Sequence, residues 1–341
     1  MNRVVPVRLL GGRISGRVRV RGVLGVALLV LVAAAIGVAS LPSPDAGVSL
    51  GETIDVLRGR GTRVTELVVL DWRLPRVLAA LLFGAMMGLS GAIFQVVTRN
   101  PLGSPDVIGF SSGAYTGAIV AMLVLGLSGT AVPMAATLGG LLTAALVLGL
   151  AGHEGLRGAR FVILGIAAAA LLSSVNTWLV LRVTAEEGLQ ASQWGVGTLN
   201  EITGSDVRLA ALCGLVLLPG CLLLARPLAL HELGDDVAVA LGVPMRSRRL
   251  LAIGVGVALT AVTTAAAGPI AFVALAAPQL ARRVVGGTPP ALLGSAAMGA
   301  ALLAASDLLA QRVFAPTPVP VGMVTVVLGG CYLAWLLSRR R

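Results

Sequence analysis

Long apolar runs alternate along this chain with short polar breaks. Stretches at about 22–40, 77–97, 107–127, 131–151, 160–181 and 207–225 each approach the ~20 residues a helix needs to cross a hydrocarbon core. Residues 249–281 form one run too long for a single such helix and too short for two, and Gly268-Pro269 interrupts it. Proline removes a helical N–H and clashes with the turn before it, so the run predicts a full helix to about 267 and a short one from about 270 to 284. Stretches 291–312 and 320–337 complete a set of ten. The pattern predicts an all-α polytopic membrane protein with about ten transmembrane helices. A single transmembrane domain would occupy 22–338, with a basic segment at 1–21 before it and a basic tail at 339–341 after it.

Composition supports that class. The 341 residues are 57% hydrophobic and 12% charged, against about 25% charged in a soluble domain. A formal charge of +11 raises the question of nucleic acid, but the 26 basic residues lie in short clusters between apolar runs. That distribution fits the positive-inside bias of membrane proteins, with lipid and not nucleic acid as the neighbour. All 26 are arginine, so the chain has no P-loop lysine and cannot itself be a P-loop ATPase.

Charge also orients the chain. With the N-terminus inside, 18 of the 26 arginines fall on inward segments, from Arg3 to Arg21, at Arg99, Arg157, Arg160, Arg226, Arg246, Arg248, Arg249, Arg282 and Arg283, and in the tail. The other eight share the outward side with nine carboxylates between Asp45 and Asp206. If the short helix after Gly268-Pro269 did not cross, the arginine tail would face outward, so ten crossings with both termini cytoplasmic is the expected topology. The basic start followed by GVLGVALLVLVAAAIGVAS resembles a signal peptide, and is read here as an uncleaved first span.

Catalytic chemistry is not indicated. The spans carry one strongly ionisable residue, Asp307, which is read as a structural ion pair or a solvated helix end. Cys213, Cys221 and Cys331 lie in apolar segments without CxxC spacing and His153 and His231 are far apart, so no catalytic residue and no metal site is expected. Uncharged polar residues are more numerous: Gln95, Ser111, Ser112, Tyr115, Thr116, Ser173, Ser174, Asn176, Thr260, Thr263 and Thr264. Each can return a hydrogen bond to its own helix, but as a set they suit a wide, weakly polar channel for a bulky solute better than an ion filter. Gly84 and Gly88, like Gly113 and Gly117, have the GxxxG spacing that lets helix backbones approach, either inside one bundle or at a subunit interface.

Three polar segments stand apart from the spans. TRNPLGSPDVIGF (98–110) is a stiff corner on the inward side, where Asp106 is placed to cap the third helix. LHELGDDVAVALGVPMRSRR (230–249) fits a short amphipathic helix through Leu233, Val237, Ala238 and Leu241 with a stop at Gly242, either an ordinary surface helix or a docking element. DWRLPR (71–76) places two arginines outside, against the charge bias, which admits either lipid phosphate or an acidic partner.

Longer stretches carry a resemblance. DWRLPRVLAALLFGAMMGLSGAIFQVVTRNPLGSPDVIGFSSGA, ELGDDVAVALGV, AGPIAFVALAAPQLARR and PVPVGMVTVVLGGCYL resemble the iron-siderophore and vitamin B12 importer permeases of ATP-binding-cassette systems, in order and over nearly the whole chain from about residue 50. RNPLGSPDVIGF, VNTWLVL (175–181) and residues 307–332 are most similar to the catecholate branch, which serves ferric enterobactin. The resemblance implies a ten-helix subunit in a bacterial cytoplasmic membrane, paired with a second, different permease chain. It further implies two ATPase subunits that use ATP and Mg, an extracytoplasmic siderophore-binding protein, and no cofactor on this chain.

Residue roles follow from the same resemblance. Arg73, Arg76 and Arg312 match positions that receive acidic residues of the binding protein. Residues 230–244, with Glu232, Leu233, Gly234, Asp235, Ala238, Leu241, Gly242 and Val243, match the segment seated in an ATPase groove. Asn100, Pro101 and Leu102 match a cytoplasmic gate. Two departures matter: LRGAR, with Gly158 and Ala159, lacks the hydroxyls of a second gate in some relatives, and Gln279 stands where many relatives have histidine, which argues against a metal ligand there. The expected function is import of a ferric siderophore; a cobalamin or haem importer, an ion-coupled carrier and a non-transporting scaffold remain the alternatives.

Overall fold

A computed structural model describes residues 4–9, 14–43, 46–155, 159–286, 292–314 and 319–338. The tail at 339–341, Gly158 of the second-gate comparison, and parts of the basic segment at 1–21 lie outside the described residues.

Each of the ten apolar stretches is a helix. In chain order they are α1 (Val20–Ala39), α4 (Leu74–Thr98), α5 (Phe110–Ile119), α6 (Ala131–Gly155) and α7 (Ala159–Val180). The remainder are α9 (Gly204–His231), α11 (Met245–Ala267), α12 (Val273–Val285), α13 (Leu292–Arg312) and α14 (Val321–Ser338). In hydrocarbon the backbone must satisfy its own N–H and C=O groups, which a helix does within one segment. Among the described residues seven helices are long and apolar enough to cross, and Phe110–Val124 and Val321–Trp335 are shorter apolar helices. The break at Gly268-Pro269 falls where the sequence placed it, between Ala267 and Val273.

Several elements were not expected. The basic segment forms an antiparallel hairpin of β1 (Val4–Leu9) and β2 (Ile14–Arg19), in which Val4 pairs with Arg19 and Leu9 with Ile14. Short helices α2 (Leu50–Leu57) and α3 (Arg63–Glu66) precede a π-helical stretch, Leu67–Arg73, that runs on into α4. A second π-helical turn, Val120–Val124, extends α5, and α8 (Ala185–Val196) lies between α7 and α9. Ser49, Thr62, Thr184 and Thr203 each open a helix with a reciprocal capping box. All four are at the end of the bundle that carries the RLPR motif, where these polar sequences supply the side chains that satisfy helix N-termini.

Packing explains both glycine pairs. A Cβ on Gly84 would lie 2.3 Å from the Gly299 carbonyl oxygen, and one on Gly88 would lie 2.0 Å from that of Ser295, so this GxxxG seats α4 against α13. Gly117 is equally close to Ala135, with 2.2 Å from a built Cβ to the carbonyl oxygen, which joins α5 to α6. Both motifs are used inside the bundle. The spine is α4, most of whose residues are buried, whereas α7 is largely exposed. Helix α7 therefore offers most of its surface to lipid or to another chain.

Candidate functional site

Between α5, α7 and α8 lies a partly open cavity of about 380 Å³. Helix α5 contributes Ser111, Ser112 and Tyr115, α7 contributes Ser173, Asn176 and Thr177, α8 contributes Ser192, and the break before α12 contributes Pro269. The spacing puts them there: Ser173, Asn176 and Thr177 share one helical face, as do Ser111, Ser112 and Tyr115. Asn176 is held from behind, its Oδ1 accepting from Thr116 Oγ1 at 2.7 Å and its Nδ2 donating to the Ser112 carbonyl at 3.4 Å. Among the described residues the wall has hydroxyls, one amide and the apolar Val180 and Leu181, but no charged side chain. It can hydrogen-bond a bulky solute weakly without fixing a charge.

The polar set proposed from sequence divides in the structure. Ser111, Ser112, Tyr115, Ser173 and Asn176 line the cavity and Thr116 supports it. Thr260 and Thr263 are buried and bond back to Gly256 and Thr260 carbonyls, while Gln95 is buried against α12, so these serve packing. Thr264 is buried too, and Ser174 bonds its own helix at Ala170. Thr177 and Ser192 were missed. Thr177 lies four residues after Ser173 and was legible by spacing, whereas Ser192 sits on α8, whose polar sequence carries no membrane signal.

At the RLPR end, Arg76 and Asp307 form a bidentate ion pair. Arg76 Nε donates to Oδ1 at 3.1 Å and Oδ2 at 3.0 Å, and Nη2 donates to Oδ1 at 2.8 Å. The two side chains are 12% and 2% exposed, so Asp307 is a structural ion pair and not a solvated end. Gln311 Nε2 donates to Asp307 Oδ2 at 2.6 Å, and Arg73 in turn donates to Gln311 Oε1 and Ser43 Oγ. Arg312 is exposed and donates to the Ala39 carbonyl at 2.9 Å. The three arginines therefore cluster, but Arg76 already has a carboxylate partner.

At the opposite end the corner is built as the sequence suggested. Arg99 ends α4 in the left-handed conformation, with φ 49°. Asn100 Oδ1 accepts from the Leu102 N–H at 2.9 Å, and the Asn100 carbonyl accepts from Gly103 N–H at 2.9 Å, which locks a tight turn. Leu102 is 44% exposed. Asp106 does not cap the backbone of α5; its Oδ1 accepts from the Ser111 hydroxyl instead. Desolvation pushes the Asp106 carboxyl above its ordinary range, with the Ser111 hydrogen bond pulling the other way.

Beside the corner, α10 (Asp235–Ala240) is the short helix expected near 230–244. Ala238 is buried, Gly234 and Gly242 have positive φ at its two ends, and Leu233, Val237, Val239 and Leu241 are exposed. Exposed apolar side chains on and around so short a helix are available to a partner surface. Arg99 Nη2 donates to the His231 carbonyl at 3.2 Å and so ties the corner to the end of α9, immediately before this segment.

Comparison with known proteins places this geometry. The profile of the FecCD transport family matches residues 25–339. The ferric enterobactin transport system permease protein FepG of Escherichia coli (strain K12) is 46% identical over 310 residues, covering 91% of this chain and 94% of that protein. The hemin transport system permease protein HmuU of Yersinia pestis is 34% identical over 342 residues, covering 96% and 98%. A metal-chelate-type ABC transporter solved in an inward-facing conformation superposes with a TM-score of 0.79 at 28% identity, covering 92% of this chain and 98% of that one.

Proposed function

The chain belongs to the FecCD transport family, and from that premise we propose that it is the permease subunit of an ATP-driven importer for an intact ferric siderophore of the catecholate class. The observation that carries the reading is the cavity between α5, α7 and α8, which is partly open, lined with hydroxyls and, among the described residues, without a charged side chain. Helix α7, which forms one wall, leaves Ile163, Ile166, Leu171 and Trp178 exposed, so a second permease chain is expected to close the pathway against it. Because the FepG resemblance runs through the catecholate branch, that second chain is read as a different one.

In this reading the corner end faces the cytoplasm and the RLPR end faces outward, as the arginine distribution favours. An extracytoplasmic binding protein docks through acidic residues on Arg73 and Arg312, with Arg76 of the expected trio held beneath them by Asp307. Partner ATPases hold α10 and the residues around it, from Glu232 to Val243. ATP binding there shifts a two-state bundle between outward and inward access, and Asn100, Pro101 and Leu102 close the lower end of the pathway.

The HmuU similarity favours one second reading, import of haem. Deleting the gene and measuring uptake of radio-iron catecholates, hydroxamates, haem and labelled cobalamin separates the two. Loss confined to catecholates is the expected outcome, and loss confined to haem would replace it with the second reading.

A further inference from the structure

Gln279 follows Pro278 on α12 and reaches three elements with one amide. Its Nε2 donates to the Pro101 carbonyl in the corner at 2.8 Å and lies 3.3 Å from the Leu275 carbonyl of its own helix. Its Oε1 accepts from Tyr332 of α14 at 3.3 Å. The same Leu275 carbonyl accepts from Gln95 Nε2 of α4 at 2.9 Å, and Arg282 Nη2 lies 3.4 Å from Gln95 Oε1. Arg283, from the next turn of α12, stands over the rings of Tyr332 and Trp335, 5.8 and 4.7 Å from their centroids. Helix α12 thus grips the corner with a donor and α14 with an acceptor, on two ends of a single planar group.

The mechanical consequence depends on what each side can do. Helix α14 leaves Met323, Val326, Val327 and Leu328 exposed, so its own chain packs only part of it. The corner is a closed unit, because Asn100 holds Leu102 and Gly103 in one turn. We propose that Gln279 is a positioning residue that links α14 to the corner, so that a displacement of α14 carries the Pro101 carbonyl, and Leu102 beside it, along. This rests on the reading of the corner as a gate. Neither glutamate, which lacks the donor, nor leucine, which lacks both groups, can make the link.

The test uses the complete transporter in lipid, with Leu102→Cys as the reporter in a chain whose Cys213, Cys221 and Cys331 are alanine. Maleimide labelling at position 102 is measured with and without ATP, beside ATP hydrolysis in the absence of substrate. The parent is expected to label at rates that differ between the two states. Gln279→Leu and Gln279→Glu are expected to erase that difference and to raise idle hydrolysis roughly fivefold, the scale set by one lost hydrogen bond. Tyr332→Phe, which removes one hydroxyl and spares folding, should do the same, and combining it with Gln279→Leu should add nothing.

State-dependent labelling retained in all three variants would overturn the link while leaving the gate standing. A parent whose labelling does not depend on ATP would overturn the gate reading and the link with it. Additive effects of Tyr332→Phe and Gln279→Leu would show two separate contacts and contradict the relay.

Discussion

Gly91→Val is expected to yield no monodisperse folded protein. A Cβ at position 91 would lie 1.7 Å from the Ala274 carbonyl oxygen, 2.6 Å from its carbon and 3.0 Å from its Cα, all of it backbone that no rotamer change can move. The closeness has a cause in α12. Residue 278 is proline, so α12 cannot return an N–H from that position to the Ala274 carbonyl, and the bare Cα of Gly91 on α4 faces the oxygen instead. Forcing the two helices apart would disturb the most buried helix of the bundle. Even alanine should cost about 1–3 kcal/mol or more by overpacking. Gly254→Ala on α11 is the control, since a Cβ there meets nothing within 4 Å and a gain of about 0.5–1 kcal/mol is expected from helix propensity. Size-exclusion profiles and thermal melts in detergent check both. A Gly91→Val protein that melts like the parent would show that α4 and α12 are not packed as described.

Asp307→Asn is expected to destabilise by about 3–5 kcal/mol, because it strands the Arg76 guanidinium at 12% exposure without its carboxylate. Most of the loss should return in Asp307→Asn combined with Arg76→Gln, where neither charge is buried. A double-mutant cycle on thermal stability reads this directly, and a single variant within about 0.5 kcal/mol of the parent would contradict the pairing. The pair also bears on how docking should be tested. Arg76→Glu would place two carboxylates against each other and lose fold as well as charge, so Arg73→Glu and Arg312→Glu are the cleaner probes of the binding-protein surface.

The ten helices and their break were legible locally, because run length and Gly268-Pro269 are contiguous features. The hydroxyl faces of α5 and α7 were readable for the same reason, since spacing of three and four residues decides what shares a face. What required folding was partnership across the chain. Asp307 stood out as the lone acid of the spans, but nothing local links it to Arg76, 231 residues away. Gly84 and Gly88 announced a close helix contact without naming α13. Helix α8 was hidden because its polar sequence carries no membrane signal, and with it went Ser192. The hairpin of β1 and β2 was read only for its charge. Gln279 carries no local signal of its role, because two of its three hydrogen bonds reach partners 178 and 53 residues away, at Pro101 and Tyr332.

If this chain forms the membrane path of an ATP-driven ferric siderophore importer, transport should follow the assembled complex. The most direct measurement captures the assembled complex through a tag on this chain, reconstitutes it in liposomes, and follows radio-iron carried on a catecholate siderophore. Accumulation inside the vesicle is expected only when binding protein and ATP are each on their proper side, with none driven by a proton or sodium gradient. Uptake down an ion gradient by this chain with no ATPase present would contradict it.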